Sequence, residues 1–209
     1  MGRSTNISDA ERYTRLEYYS PERMAQYFFQ IESIREASAQ SVLEIGTGPG
    51  VVAHILRRAG LQLATCDVNP ELGADICADV RRLPLPDNAV DFALCCQVLE
   101  HLPFAELGSA VAELARVSRT RVLISVPYSA RVVYLLSKLP FGRKRGWTMH
   151  FSWPPVTAPM VAGHHWEIGR PGYSKRKFIN AIRAAGVKIV RTFTPVETPG
   201  NLFCLLAKQ

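Results

Sequence analysis

Short apolar runs recur along residues 41–127, each closed by a turn and, in most cases, followed by a helix-like stretch; this alternation constrains the fold more than any other feature. "SVLEIG" precedes "VVAHILRRAG", which Gly60 closes. "LQLATCD" ends on Asp67, and a short "ADIC" ahead of Asp79 reads as a third strand. "LPLPDNAVDFALCCQ" is a turn at Asp87 and Asn88 and a fourth strand opened by Asp91; "VLEHLPFAELGSAVAELARVS" supplies one or two helices, and "TRVLISVPY" is a fifth strand. The strands are continuously apolar rather than alternating, so both their faces are buried, as in a parallel sheet covered by helices on each side.

The flanks read differently. Residues 1–40 are helical, with Ser20 and Pro21 as N-cap and first-turn residues, and Met24, Tyr27, Phe28, Ile31 and Ile34 are predicted to form one packed face. After Tyr128, "SARVVYLLSKL" reads as a helix, and the Pro-, Gly-, aromatic- and base-rich stretch that follows reads as a loop-like insertion. Ser174 caps a helix over "KRKFINAIRAAG", and "VKIVRTFTP" and "NLFCLLAK" are two closing strands. The 209 residues fit a single domain, 1–209, with an N-terminal helical cover over 1–40 and a substrate-side insertion over about 129–173.

Composition narrows the function classes. No run of about 18 apolar residues offers a membrane span, and the polar N-terminus lacks a leader's apolar core, so a cytoplasmic location is expected. The five cysteines show no CxxC pair and sit in apolar segments, so neither a disulfide framework nor a metal site is expected. The net charge is +7, but residues 131–191 hold 12 Lys or Arg against one acid, Glu167, leaving the rest of the chain mildly acidic. Such a field favours anionic partners, though a solvated basic face is an equal reading.

The glycines of "VLEIGTGPG" bring a ligand against the backbone. A phosphate loop needs a Lys that does not follow here, and a dinucleotide fold needs its third glycine where Val51 stands. Glu44, two residues ahead of Gly46, would repel a pyrophosphate but suits a ligand with a positive end. Asp67 is placed to accept hydrogen bonds from ribose hydroxyls, and Asp79 from an adenine amino group.

"VLEIGTGPG", "CDVNP", "ADVRRLPLPDNAVDFALCCQVLEHLP" and "RVLISVPY", in that order, resemble the successive motifs of the class I S-adenosylmethionine-dependent methyltransferases, in their type 11 branch, over residues 40–128. The resemblance implies a doubly wound, Rossmann-like, mostly parallel seven-stranded sheet, the last strand antiparallel, with helices on both faces. It implies S-adenosylmethionine as cofactor, with S-adenosylhomocysteine as product. Gly46, Thr47, Gly48 and Gly50 would admit the methionine part, oriented by Glu44. Asp67 with Val68 would hold the ribose, Asp79 the adenine amino group, the Val80 N–H a ring nitrogen, and Gln97 the floor near the sulfonium. One departure stands out: "VNPELGADIC" is too short for the family's usual helix and strand, a collapsed crossover that makes Asp75 an alternative to Asp79.

Methyl transfer needs a base only if the nucleophile arrives protonated. Candidates are His101, His164, His165 and Tyr128, then His150. The expected acceptor is a small or lipid-like molecule with an anionic group, clamped by Arg143, Arg145 or Arg170 while Trp147, Trp153 and Trp166 exclude water. Weak membrane-surface contact is compatible with this; the oligomeric state is left open. An RNA methyltransferase, a non-catalytic cofactor-binding subunit and a nicotinamide-dependent oxidoreductase are the alternatives.

Overall fold

The computed structural model describes residues 9–137, 145–151, 153 and 156–208. Five strands in the first two thirds of the chain, β1 (Ser41–Ile45), β2 (Gln62–Asp67), β3 (Ile76–Cys77), β4 (Val90–Cys96) and β5 (Ser118–Pro127), pair in parallel. The last strand of the chain, β9 (Asn201–Lys208), enters antiparallel between β5 and β8 (Val187–Phe193). The sheet order is β3-β2-β1-β4-β5-β9-β8. Connections run outward in opposite directions from β1 and β4, so the carboxyl ends of these two strands open a crevice where ligands of such sheets bind.

Period-two geometry explains the all-apolar strands. Leu43, Ile45, Ala93, Cys95, Val122 and Ile124 face one core with α4 (Leu107–Val117) and α5 (Lys175–Ala184). Val42, Phe92, Leu94 and Leu123 face another with α2 (Pro21–Glu36) and α3 (Val51–Arg58). Ser20 Oγ accepts the Arg23 amide and Ser174 Oγ that of Lys177, as their cap positions predict.

Four expectations are corrected. Residues 131–137 are not helical: β6 (Arg131–Ser137) pairs antiparallel with β7 (Arg145–Phe151) in a separate hairpin, because "RVVYLL" is rich in β-branched and aromatic residues. The predicted face of α2 is only partly buried: Met24 and Phe28 are exposed, and Gln26, Tyr27, Gln30, Ser33 and Ile34 lie inward. The N-terminal helix divides into α1 (Asp9–Tyr13) and a 3₁₀ turn, Leu16–Tyr18. Cys77 is exposed, whereas Cys66, Cys95 and Cys204 are buried; all five thiols are free. The short crossover is as read, with one 3₁₀ turn, Pro70–Leu72, ahead of the two-residue β3.

Candidate functional site

At the end of β1 the chain turns on glycines held at positive φ: Gly46 at 77°, Gly48 at 50° and Gly50 at 70°. A Cβ on Gly46 would lie 2.2 Å from Val98 Cγ2, so the loop passes too close to the β4 exit for any side chain. Tyr13 covers the loop from α1, its ring 3.7 Å from where a Gly48 Cβ would sit. Gly50 meets no such neighbour and opens α3 as its N-cap, so its φ serves the helix start, and it lies outside the crevice lining described next.

Under the loop is a small pocket of about 60 Å³ bounded by Glu44, Gly46, Thr47, Cys96 and Gln97 from the sheet, and by Tyr18, Arg23, Gln26, Tyr27 and Gln30 from the N-terminal elements. Three of its lining atoms are buried without a hydrogen-bond partner: Glu44 Oε2, Thr47 Oγ1 and the Tyr27 hydroxyl. Buried polar atoms rarely go unpaired unless a ligand is meant to complete them. Glu44 is 4% exposed, and burial pushes its carboxyl up to about 8, against the opposing pull of the Arg57 charge and the Ala53 amide. Burial also raises the Tyr27 phenol. At the rim, the Arg23 guanidinium lies 4.8 Å from the Tyr18 ring centroid and donates to Gln26 Oε1 at 3.2 Å. A carboxylate beside a guanidinium in one small polar pocket fits the ammonium and carboxylate of a free amino acid.

The pocket continues into a larger crevice of about 430 Å³, sharing Tyr13, Ile45, Gly46, Gly48 and Gln97. Its walls are Asp67, Val68, Asn69 and Leu72 after β2, Asp79, Val80 and Arg81 after β3, and Val98, His101 and Leu102 after β4. Asp67 Oδ1 accepts the Asn69 amide at 2.9 Å, which fixes the carboxylate at the crevice edge. Asp79 Oδ1 takes both the backbone amide and Nε of Arg81 at 2.8 Å, and these bonds hold its carboxyl below the usual range. Gln97 sits at φ 59° between pocket and crevice, its amide on Ser125 O and its Nε2 on Ser125 Oγ. Non-glycine residues rarely adopt that conformation, and such strain concentrates at functional sites. Asp75 is built into the scaffold instead: its Oδ2 accepts from Thr65 N and Oγ1 at 2.8 Å and from Arg57 at 2.7 Å.

Among the base candidates, His101 lines the crevice, its Nδ1 3.0 Å from Gly163 O. His165 is exposed, and its backbone amide, not its ring, ties the loop to Glu100 O. Tyr128 stacks on His150, centroids 4.1 Å apart at 4°, and His150 Nε2 meets Pro199 O; both rings anchor the β6–β7 hairpin to the end of β5. His164 is half-buried, its Nδ1 2.9 Å from Glu167 Oε1. None of these four rings, His165, Tyr128, His150 and His164, lines the pocket or the crevice.

The proposed clamp and cover are largely elsewhere. Trp166 is fully buried against Phe104, Tyr173 and Phe178, with Nε1 on Leu102 O. Trp147 and Trp153 face outward at 52% and 82% exposure. Arg170 is consumed internally by Glu167 and the carbonyls of Val156, Ala158 and Pro159, so it does not clamp an anion. Arg143 and the side chain of Arg145 lie outside the described residues. The sequence reading placed N-terminal helices over the crevice but named none of Tyr13, Tyr18, Arg23, Gln26 or Gln30; two glutamines one helical turn apart, inside an apolar face, were the available signal.

Comparison with known proteins agrees with this geometry. Residues 43–125 match the family model described as a methyltransferase domain, type 11. An uncharacterized methyltransferase of Mycobacterium avium (strain 104) is 27% identical over 155 residues, covering 68% of this chain and 58% of that protein; the chain thus spans little more than half the length of this relative. Among solved structures, magnesium protoporphyrin IX methyltransferase from Synechocystis PCC 6803 with bound S-adenosylhomocysteine superposes with a TM-score of 0.59 at 13% identity, over 99% of this chain and 90% of that one. The [4+2]-cyclase SpnF superposes at 0.55 and 16% identity, over 89% and 82%. The two superpositions establish the fold, and the family match with the ordered motifs establishes the cofactor. Over residues 43–125 the chain is thus similar to the type 11 methyltransferase domain, and its fold is the one seen in magnesium protoporphyrin IX methyltransferase.

Proposed function

We propose that the protein transfers a methyl group from S-adenosylmethionine to a small, lipid-like acceptor. The observation that carries the reading is the junction of two chemistries in one crevice: a pocket with three orphaned buried polar atoms, opening into a cleft edged by Asp67 and Asp79. Glu44 would take the ammonium end of the cofactor, Arg23 its carboxylate and Thr47 a further hydrogen bond. Asp67 would hold the ribose, Asp79 and the Val80 amide the adenine, and Gln97 the floor beneath the sulfonium. When bound, the cofactor supplies an electrophilic methyl carbon and its own leaving group.

The chain's contribution is alignment and exclusion of water. Holding both reactants in place replaces an encounter in solution, an advantage of up to roughly 7–11 kcal/mol in ideal intramolecular cases. Tyr13 closes the glycine side, and His101 stands on the acceptor side of the crevice. The β6–β7 hairpin supports the acceptor class. Val133, Leu135, Trp147 and Met149 are exposed on one face of it, Val133 opposite Met149 and Leu135 opposite Trp147, an apolar patch of the kind that marks a docking site for something apolar. The hairpin is anchored to the carboxyl end of β5 by the Tyr128–His150 stack.

The test is turnover. Purified protein with S-adenosylmethionine and panels of amphipathic lipids, polar small molecules and RNA should form S-adenosylhomocysteine only with an apolar acceptor. Replacing Leu135 and Trp147 together with serine should raise the acceptor KM at unchanged cofactor affinity. Turnover on RNA alone, or tight cofactor binding with no turnover on any panel, would refute the proposal.

A further inference from the structure

We propose that Glu100, His101 and His164 form a binding site for one divalent first-row transition-metal ion of the zinc type, at the acceptor wall of the crevice. The sequence predicts no metal, on cysteines that show no CxxC pair; the fold assembles this cluster from a 3₁₀ turn, Leu99–His101, and a distant loop. One ligand atom from each of the three residues lies within 4.8 Å of the others. Closing on an ion with bonds of about 2.0–2.2 Å requires them to draw in by an ångström or so, within reach of side-chain rotation.

Two independent features point to a ligand there. Glu100 is fully buried, and neither carboxylate oxygen has a hydrogen-bond partner. His164 Nε2 is 4.0 Å from Oε1, too far for a hydrogen bond, so this ion pair does not satisfy it. Leaving a carboxyl group orphaned in the core is costly, and a cation between it and the imidazoles removes the cost. The second feature is the support behind the rings. His164 Nδ1 meets Glu167 Oε1 at 2.9 Å, and Glu167 is itself fixed by Ser129, Arg170 and the Val161 amide. That bond assigns the lone pair of His164 to Nε2, on the Glu100 side, the arrangement by which metal-binding histidines are oriented. His101 is steadied through Nδ1 by Gly163 O at 3.0 Å. The two loops are pinned together by His165 N on Glu100 O at 2.8 Å and Trp166 Nε1 on Leu102 O at 3.0 Å.

Two imidazoles and one carboxylate suit zinc and its neighbours rather than magnesium or calcium, which prefer all-oxygen shells. Three protein ligands leave a position open, and His101 places it beside the crevice, where an oxygen or nitrogen of an acceptor can complete the coordination.

The experiment reads metal directly and does not depend on methyl transfer. Chelator-treated protein is titrated with Zn²⁺ by calorimetry and with Co²⁺ by visible absorption. One ion per chain is expected, with d–d bands of a low-coordinate site. Glu167→Gln should weaken binding by about 10–100-fold, as loss of a supporting partner does, and Glu100→Gln by more. Because Glu100 is buried, His101→Ala provides a second variant at an exposed position: it should stay folded, bind S-adenosylhomocysteine and lose the Co²⁺ bands. The absence of stoichiometric Zn²⁺ or Co²⁺ binding by the wild type, or wild-type affinity in folded His101→Ala, would overturn the assignment.

Discussion

Glu44 should release a proton when cofactor binds. Burial pushes its carboxyl up to about 8. At pH 7 it is therefore about 0.9 protonated, and an ammonium arriving beside it should drive that proton into solvent. If the bound carboxyl titrates in the ordinary range, the linkage factor for Glu44 falls about 50-fold between pH 6 and pH 8, and affinity rises by as much. The ligand's own ammonium titrates near 7.7–8.0, so the observed affinity should peak close to pH 8. Glu44→Gln separates the two effects, because it keeps shape and polarity but cannot titrate. Calorimetry at pH 7 in buffers of different ionisation enthalpy should give about 0.9 proton released by wild type beyond the amount released by the variant. The same shift has a stability sign. A folded value above the unfolded one means that the stability present below the unfolded range, near 4.3, is lost as pH rises through about 8. Empty Glu44→Gln should therefore melt higher than wild type at pH 8.5, and the two should converge at pH 4. Identical proton release by both proteins, or a wild-type affinity independent of pH, would refute the reasoning.

Other substitutions separate site from scaffold. Gly46→Ala forces a side chain to φ 77° and into Val98, which should cost about 1–2 kcal/mol in backbone strain and raise the S-adenosylhomocysteine Kd, read by urea titration and calorimetry. Trp166→Ala should lower unfolding free energy by about 3–5 kcal/mol while adding no lost cofactor contact, since the ring is in the core and not in the crevice. Arg170→Ala should speed thermolysin cleavage within residues 156–170 at unchanged acceptor KM, because its guanidinium is bound by Glu167 and three carbonyls.

The alternating strands and helices of residues 41–127 were legible because both sheet faces are buried: continuous apolar runs between turn residues leave few alternatives. The acids of the pocket and the crevice were legible too, since Glu44, Asp67 and Asp79 each sit at or just past a strand end, beside the turns that border the site. "RVVYLL" was not: an apolar run this short fits either periodicity, and only its partner β7, across residues without regular pattern, fixes it as a strand. Trp166 and Arg170 misled for the opposite reason. Their composition suggested a ligand cover, but the loop folds back on β5 through Ser129 N and Ile168 O and buries them as its own support. The Glu100–His164 neighbourhood is tertiary, so no spacing in the sequence could reveal it.

The central claim is that Glu44 and Asp67 bind the ammonium and the ribose of one cofactor. It is tested most directly by calorimetric titration of S-adenosylhomocysteine into wild-type protein and into a Glu44→Ala, Asp67→Ala double variant of confirmed fold. We expect one site per chain in the wild type and no measurable binding in the variant. Equal affinity in the two proteins, or binding of NAD in place of S-adenosylhomocysteine by the wild type, would contradict it.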